Sequence, residues 1–469
     1  MLTLHESARH RTCAGVSRRE LLTIGTLGLG GLTLADLFRA KAHAADPARI
    51  LKDKSVVLLF LQGGPAHIEM FDPKMSAPAE IRSTTGEVST AIPGVTYGGT
   101  FPRLGRLANE TTVVRSYGTG NADHKYVTTV TAGNPLDASA SAIYARAAGT
   151  NHPVTGLPTN VLITPETVAP GIKLESNFET DALLGMVTPG MLGPTFAAFN
   201  PSAGGEMKTS MELRMPQARL DDRRSLLGSL DRIRRDADRG RLLDAVDEYQ
   251  QQAFDVITRG AAQAFDLSKE DPRTIARYDT SHIFPNERVQ AYYDMRRASN
   301  LLGKQMLLAR RLVEAGCGFV TVADAGWDMH GNRNSLPKLS GIVPLGLQVD
   351  HAVSAFLDDL RERGLSQKVL LVVTGEMGRT PRINNRGGRD HYGELTSLLF
   401  AGGGLKMGQI IGESDAHATR AATNPYRPQH LMTTILHTLF DISELRLADN
   451  LPTDLIRTAT ENEPIRELV

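Results

Sequence analysis

Cysteine is nearly missing from this chain: its 469 residues contain two. Cys13 falls in an N-terminal leader, so a processed chain keeps Cys317 alone and a disulfide framework is excluded. Cys317 stands in the apolar run from Gly316 to Val322 and reads as a core thiol, not a nucleophile. An excess of either charge is missing too. Lys+Arg and Asp+Glu are equal at 52 each, so no net field points to nucleic acid or to an anionic membrane. There is no internal repeat, no low-complexity tract and no nucleic-acid motif. What is present, 41% apolar and 22% charged residues, is ordinary for a globular protein. The length exceeds a usual single core. One large α/β domain with an insertion, or two domains, is therefore expected.

The first 45 residues read as an address. Ser17-Arg18-Arg19-Glu20-Leu21-Leu22 is a twin-arginine pattern, a Gly-rich apolar stretch follows from Leu21 to Leu34, and Ala42-His43-Ala44 offers a cleavage site before Ala45. Residues 1–44 are thus expected to be a twin-arginine signal peptide. Its partner would be the twin-arginine export machinery, and the mature chain would be periplasmic or otherwise exported. The alternative is a soluble amphipathic N-terminal helix. The apolar stretch is too short and Gly-rich for a membrane span. That route carries folded chains, often loaded with a cofactor, which hints at a metal.

Buried-strand patterns recur along residues 45–469, and several end in polar, glycine-containing loops. Lys54–Leu61 ends in Gln62-Gly63-Gly64-Pro65-Ala66-His67. Asp72, before Pro73, reads as a turn initiator. Thr112–Ser116 leads to Asn121-Ala122-Asp123-His124-Lys125 and a short helix starting near Asp123, stopped by Gly133-Asn134-Pro135. Asp123 could cap that helix or act in catalysis, and a helix N-terminus favours anions. Cys317–Ala323 delivers Asp324 through Asn332, a loop holding the only tryptophan, Trp327. Asp328 and His330 are alternate residues there and could project to one side and share an ion.

Leu345–Arg363 is an amphipathic helix closed by Gly364. It feeds the most informative stretch, Gln367–Tyr392. Val369–Val373 is an apolar run suited to a parallel strand covered on both faces. Thr374-Gly375-Glu376-Met377-Gly378-Arg379 stands at its carboxyl end, where open α/β sheets build their sites. Gly387-Gly388-Arg389-Asp390-His391 comes soon after. Between about Pro201 and Glu314 the composition becomes charged and helix-forming, and an α-helical insertion is expected there.

These stretches resemble the alkaline phosphatase-like enzymes, sulfatases among them. The helix, Gly364 and QKVLLVVTGEMGR look like the segment ending in the superfamily's Asp-His metal pair. Asn121–Pro135 looks like the sulfatase nucleophile helix. More closely, the leader, LFLQGGPAHIEMFDPK, GWDMHGN and TGEMGRTP…GGRDHY resemble the exported bacterial family called domain of unknown function 1501. The resemblance implies a mostly parallel α/β sheet flanked by helices, of alkaline phosphatase-like type, with the helical insertion at about 201–314.

It also implies site roles, with departures. Gln62 stands where the first strand normally delivers aspartate, Asp123 with His124 beside it where the nucleophile would be, and Glu376-Met377 where the metal pair would be. Asp328 and His330, with Asp390 and His391, stand for the remaining ligands. One reading is then a metal-dependent hydrolase of sulfate or phosphate esters. Its divalent ion (Zn²⁺, Mn²⁺, Mg²⁺ or Ca²⁺) would be held by some of Asp328, His330, Glu376, Asp390 and His391. Water or Asp123 would be activated for attack, His124 would be acid or base, and Arg379 or Arg389 would steady the anionic group. The other reading is an exported, non-catalytic protein that binds an anionic small molecule or glycan, sulfated or phosphorylated. A third is that these polar residues only cap strands and tie loops.

Overall fold

Period-two alternation in Ser55–Leu61 (β1) sends Val57, Leu59 and Leu61 into one core and Val56, Leu58 and Phe60 into another. A strand buried on both faces must lie inside a sheet covered by two layers, which is what the computed structural model shows. It describes residues 47–169, 171–172, 176, 181–202, 262–285, 287, 298–331 and 341–469. The other strands of the main sheet are β2 (Thr111–Val114), β3 (Asn160–Ile163), β4 (Phe319–Asp324), β5 (Val369–Thr374), β6 (Leu398–Gly402) and β7 (Gln409–Ile411). Their order across the seven-stranded sheet is β7-β2-β6-β5-β1-β4-β3. Only β6 runs against the others. This is the mostly parallel, helix-flanked sheet that the sequence resemblance implies.

Six helices position the site: α1 (His67–Met70), α2 (Tyr126–Thr131), α3 (Ala140–Ala148), α4 (Leu302–Glu314), α5 (Ile342–Glu362) and α6 (Pro428–Leu439). The apolar faces of α4 and α5 pack with Val57, Leu59 and Leu61, and those of α3 and α6 with Leu58 and Phe60. Because β1, β2, β4 and β5 are parallel, their carboxyl ends share one edge of the sheet. β1 is central, with β4 and β5 on its two sides, so the loops after these three strands must be neighbours. At Gly375 a Cβ would lie 2.4 Å from Pro65 Cδ and 2.6 Å from Leu61 O, so only glycine lets the β1 and β5 loops approach this closely.

Several expectations meet the structure with small shifts. β2 begins one residue early, β4 runs from Phe319, and α5 begins at Ile342. α2 begins at Tyr126, not near Asp123. Cys317 is fully buried, and burial pushes its thiol up to about 12, which suits an inert core thiol. Asp72 is buried and ties Ser414, Lys74 and Arg115 together. The expected signal peptide, residues 1–44, and most of the expected helical insertion lie outside the described residues. Within that insertion the structure describes the helical segments Ala262–Phe265, Leu267–Lys269, Pro272–Tyr278 and α4. Among the described residues, no helix is long and apolar enough to cross a membrane.

Candidate active site

The loop after β2 brings His124, the loop after β4 brings Asp328 and His330, and the segment after β5 brings Glu376, Arg379, Asp390 and His391. A two-residue ribbon pairs Gly378–Arg379 with His391–Tyr392 and fixes that segment as it leaves the sheet. Asp328 Oδ1 is the meeting point. His330 Nε2 lies 2.9 Å from it, His391 Nε2 3.4 Å and His124 Nε2 3.6 Å, and Arg379 Nη2 donates to the same oxygen.

The three imidazoles share one arrangement. His124 Nδ1 donates to Glu376 Oε1 at 2.9 Å, His330 Nδ1 to Asp390 Oδ1 at 3.2 Å, and His391 Nδ1 to the Ala122 carbonyl at 3.1 Å. A carboxylate or carbonyl can only accept, so each bond holds the proton on Nδ1. Each Nε2 is thereby turned toward Asp328. His330 Nε2 and His391 Nε2 are 2.9 Å apart, and two lone pairs so close to each other and to a carboxylate repel unless a proton or a cation lies among them. The ligand atoms of His124, Asp328 and His391 all fall within 4.8 Å of one another, so the three could hold a metal ion. The residues therefore fit a cation in donor type, tautomer and spacing. Metal-binding histidines commonly keep such an acceptor on the second ring nitrogen.

The electrostatics follow from this crowding. Burial works against a charge on Asp328, but the bonds from His124, His330 and His391 and the Arg379 charge outweigh it. They hold its carboxyl far below the usual carboxylate range. Burial would lower His124, yet Asp328 and Glu376 overcome it and push the imidazole up to about 9. Solvent reaches the cluster, since the His391 side chain is 25% exposed and that of Asp328 11%.

Glu376 stands behind His124 rather than at the meeting point. Its side chain is fully buried, and Oε1 also accepts the Gly63 N–H at 2.9 Å. Asp390 stands behind His330 and takes further bonds from Asn384 and Arg386. Arg379 is at the centre but heavily engaged: it donates to the carbonyls of Gly63, Gly64 and Arg389 besides Asp328. Asp123 is not brought in. Its side chain is 60% exposed and pairs with Lys125 at 3.3 Å, while Asn121 holds the backbone around it. Arg389 is not brought in either. Its side chain is fully buried and paired with Glu69. An anion contact from Arg389 and nucleophilic use of Asp123 therefore both lack the required placement. The Ala122 carbonyl and Glu69 were not singled out from the sequence, since a carbonyl's role depends on backbone direction and the burial of Glu69 in the one-turn α1 depends on a partner 320 positions away.

Over residues 53–469 the chain matches the family described as "Protein of unknown function (DUF1501)", and it belongs to that family. Comparison with curated proteins returns no match. Among solved structures, the chain is similar to a sulfatase from Pseudoalteromonas sp., at 14% identity and a TM-score of 0.30, over 89% of this chain and 72% of that one. It is also similar to the phosphonate monoester hydrolase of Agrobacterium radiobacter, at 11% identity and a TM-score of 0.33, over 82% and 73% of the two chains.

Proposed function

We propose that this chain is an exported, metal-dependent hydrolase of sulfate or phosphate esters. The observation that carries the reading is the convergence of three imidazole Nε2 atoms on Asp328 Oδ1, each with its Nδ1 proton committed elsewhere. A divalent cation held by His124, Asp328 and His391 would supply Lewis-acid polarisation of an ester oxygen. Imidazole and carboxylate donors without thiolate favour Zn²⁺ or Mn²⁺ over Mg²⁺ and Ca²⁺, which take oxygen shells.

The rest of the chemistry falls to side chains. His330 lies 2.9 Å from Asp328 through Nε2 and 3.2 Å from Asp390 through Nδ1. Held between these two carboxylates, that ring is the group placed to hand a proton to a departing alkoxide. Arg379, 1% exposed, gives a fixed positive charge beside the place where the ester's negative charge grows. It acts by its field, because its N–H groups are already engaged. Glu376 and Asp390 keep His124 and His330 oriented.

Metal analysis of protein purified without added metal or chelator tests the reading, alongside a panel of sulfate and phosphate esters. The expected result is near-stoichiometric metal and ester turnover in the parent, both lost in His391→Ala. A parent that holds no metal and takes none up on titration would sink it. Export rests on the twin-arginine pattern; N-terminal sequencing of the periplasmic protein should read from Ala45.

A second reading is a protein that binds sulfated or phosphorylated glycans without turnover. It is favoured by His124, tied to Glu376, and solvent-facing Asp123 at the nucleophile position that the sequence resemblance implies. Metal-loaded protein that retains a sulfated glycan and turns over no ester would select it.

A further inference from the structure

We infer that the buried Arg389–Glu69 pair is a positioning device for the candidate metal cluster. Arg389 sets the geometry of Asp328, His330 and His391 without touching ion or substrate. The inference rests on the metal-site reading above.

Both side chains are fully buried. Arg389 donates through Nε and Nη2 to Glu69 Oε1, at 3.2 and 2.9 Å. Its remaining N–H groups reach the carbonyls of Ile81, Arg82, Thr380 and Pro381. Glu69 Oε2 accepts from Ser83 Oγ at 3.0 Å, from the Thr84 N–H at 2.9 Å and from Thr84 Oγ1 at 3.0 Å. The pair's bonding capacity is thus spent on three stretches of chain: α1, residues 81–84 and residues 380–381. None is left for a ligand.

The backbone of Arg389 faces the cluster. Its N–H donates at 3.0 Å to the carbonyl of Met329, the residue between Asp328 and His330. Its carbonyl accepts at 3.2 Å from Arg379 Nη1, while Arg379 Nη2 holds Asp328. The next two residues are Asp390, which orients His330, and His391 itself. One residue therefore joins the β4 loop, the β5 segment and α1, and moving it moves three of the four converging groups. An apolar pair of similar volume can match a buried ion pair in stability. It cannot supply the fan of directional bonds from a planar guanidinium. Geometry, not stability alone, is what this pair contributes.

The test uses the full chain and Zn²⁺ as the probe. The parent is compared with the double variant Glu69→Leu/Arg389→Met and with Glu69→Gln and Arg389→Lys. Zn²⁺ affinity is measured by chelator competition, and the His330 and His391 imidazole signals are followed by NMR in metal-free protein. A double variant that melts near the parent is expected to bind Zn²⁺ about 10–100-fold more weakly and to shift both imidazole signals. Glu69→Gln keeps an acceptor oxygen and should retain most of the affinity; Arg389→Lys loses the planar fork and should not. Parent-like affinity with unmoved imidazole signals in folded variants overturns the inference. If the double variant does not fold, Arg389→Lys against Glu69→Gln decides by the same two readings. If the parent itself binds no Zn²⁺, the metal reading falls separately. The imidazole signals then decide alone: unmoved signals overturn positioning, and shifted ones uphold it.

Discussion

Asp324 ends β4 with its side chain 2% exposed and accepts one bond, from Trp327 Nε1 at 2.9 Å. Burial pushes its carboxyl up to about 7, against partial relief from the tryptophan. Asp328, also largely buried, goes the other way, because three imidazoles and a guanidinium surround it. For Asp324 the unfolded chain releases its proton near 3.8, whereas the folded chain keeps it to about 7. Stability is therefore lost as pH rises through that window, by up to about 4 kcal/mol, and none is lost below it. Asp324→Asn keeps an acceptor for Trp327. Its stability relative to the parent should climb by a few kcal/mol between mildly acidic and mildly alkaline urea melts; parallel pH profiles would refute this. His67 pulls in the opposite sense: burial lowers it to about 4, so its contribution is lost as pH falls from 6.5 toward that value. Glu376→Gln is expected to weaken Zn²⁺ binding about 10–100-fold by loosening the His124 tautomer, with chelator competition as the check.

At the scale of elements, two glycines hold the β4 and β5 segments together. A Cβ on Gly388 would lie 2.0 Å from His330 C, and one on Gly331, at φ +70°, 2.5 Å from Gly388 N. Gly388→Ala should force these loops apart, at a cost of roughly 1–3 kcal/mol, and weaken metal uptake together with the melting temperature. An unchanged metal affinity would show that the approach does not set the site. β1, β2, β4 and β5 were legible because their apolar runs report burial directly, whereas the short β3 and β7 were not. The start of α2 was not. Asn121 donates to the Asp123 carbonyl at 2.7 Å and accepts the Asp123 N–H at 3.1 Å, which curls the chain before the helix begins. That turn sends Asp123 to solvent and His124 inward, a choice that helix periodicity does not encode.

Across the whole molecule, a largely buried charge network ties together the helices on one face of the sheet. Arg310, 1% exposed, reaches Asp359 at 2.8 Å and Glu314 at 2.6 Å and also pairs with Glu270. Tyr278 adds a bond to Asp359 at 3.1 Å. Residues near 270–278, α4 and α5 are thereby joined. Arg310→Met should remove one cation from Asp359 and Glu270, which keep Arg363 at 2.7 Å and Arg311 at 3.0 Å respectively, and destabilise the fold by about 1–3 kcal/mol, read as a lower urea midpoint. The sequence by itself determined β1, β2, β4 and β5 in their chain order, α5 between β4 and β5, and the polar residues that follow those strands, but not β3 or β7. Apolar periodicity and glycine placement act within a few residues and are written along the chain. Only the tertiary structure decided which of those polar groups meet. His124 and Glu376 are 252 positions apart, and Glu69 and Arg389 are 320. Their pairing depends on parallel strands bringing distant loops to one sheet edge, and on burial that turns Arg389 into a tie while leaving His391 open to solvent.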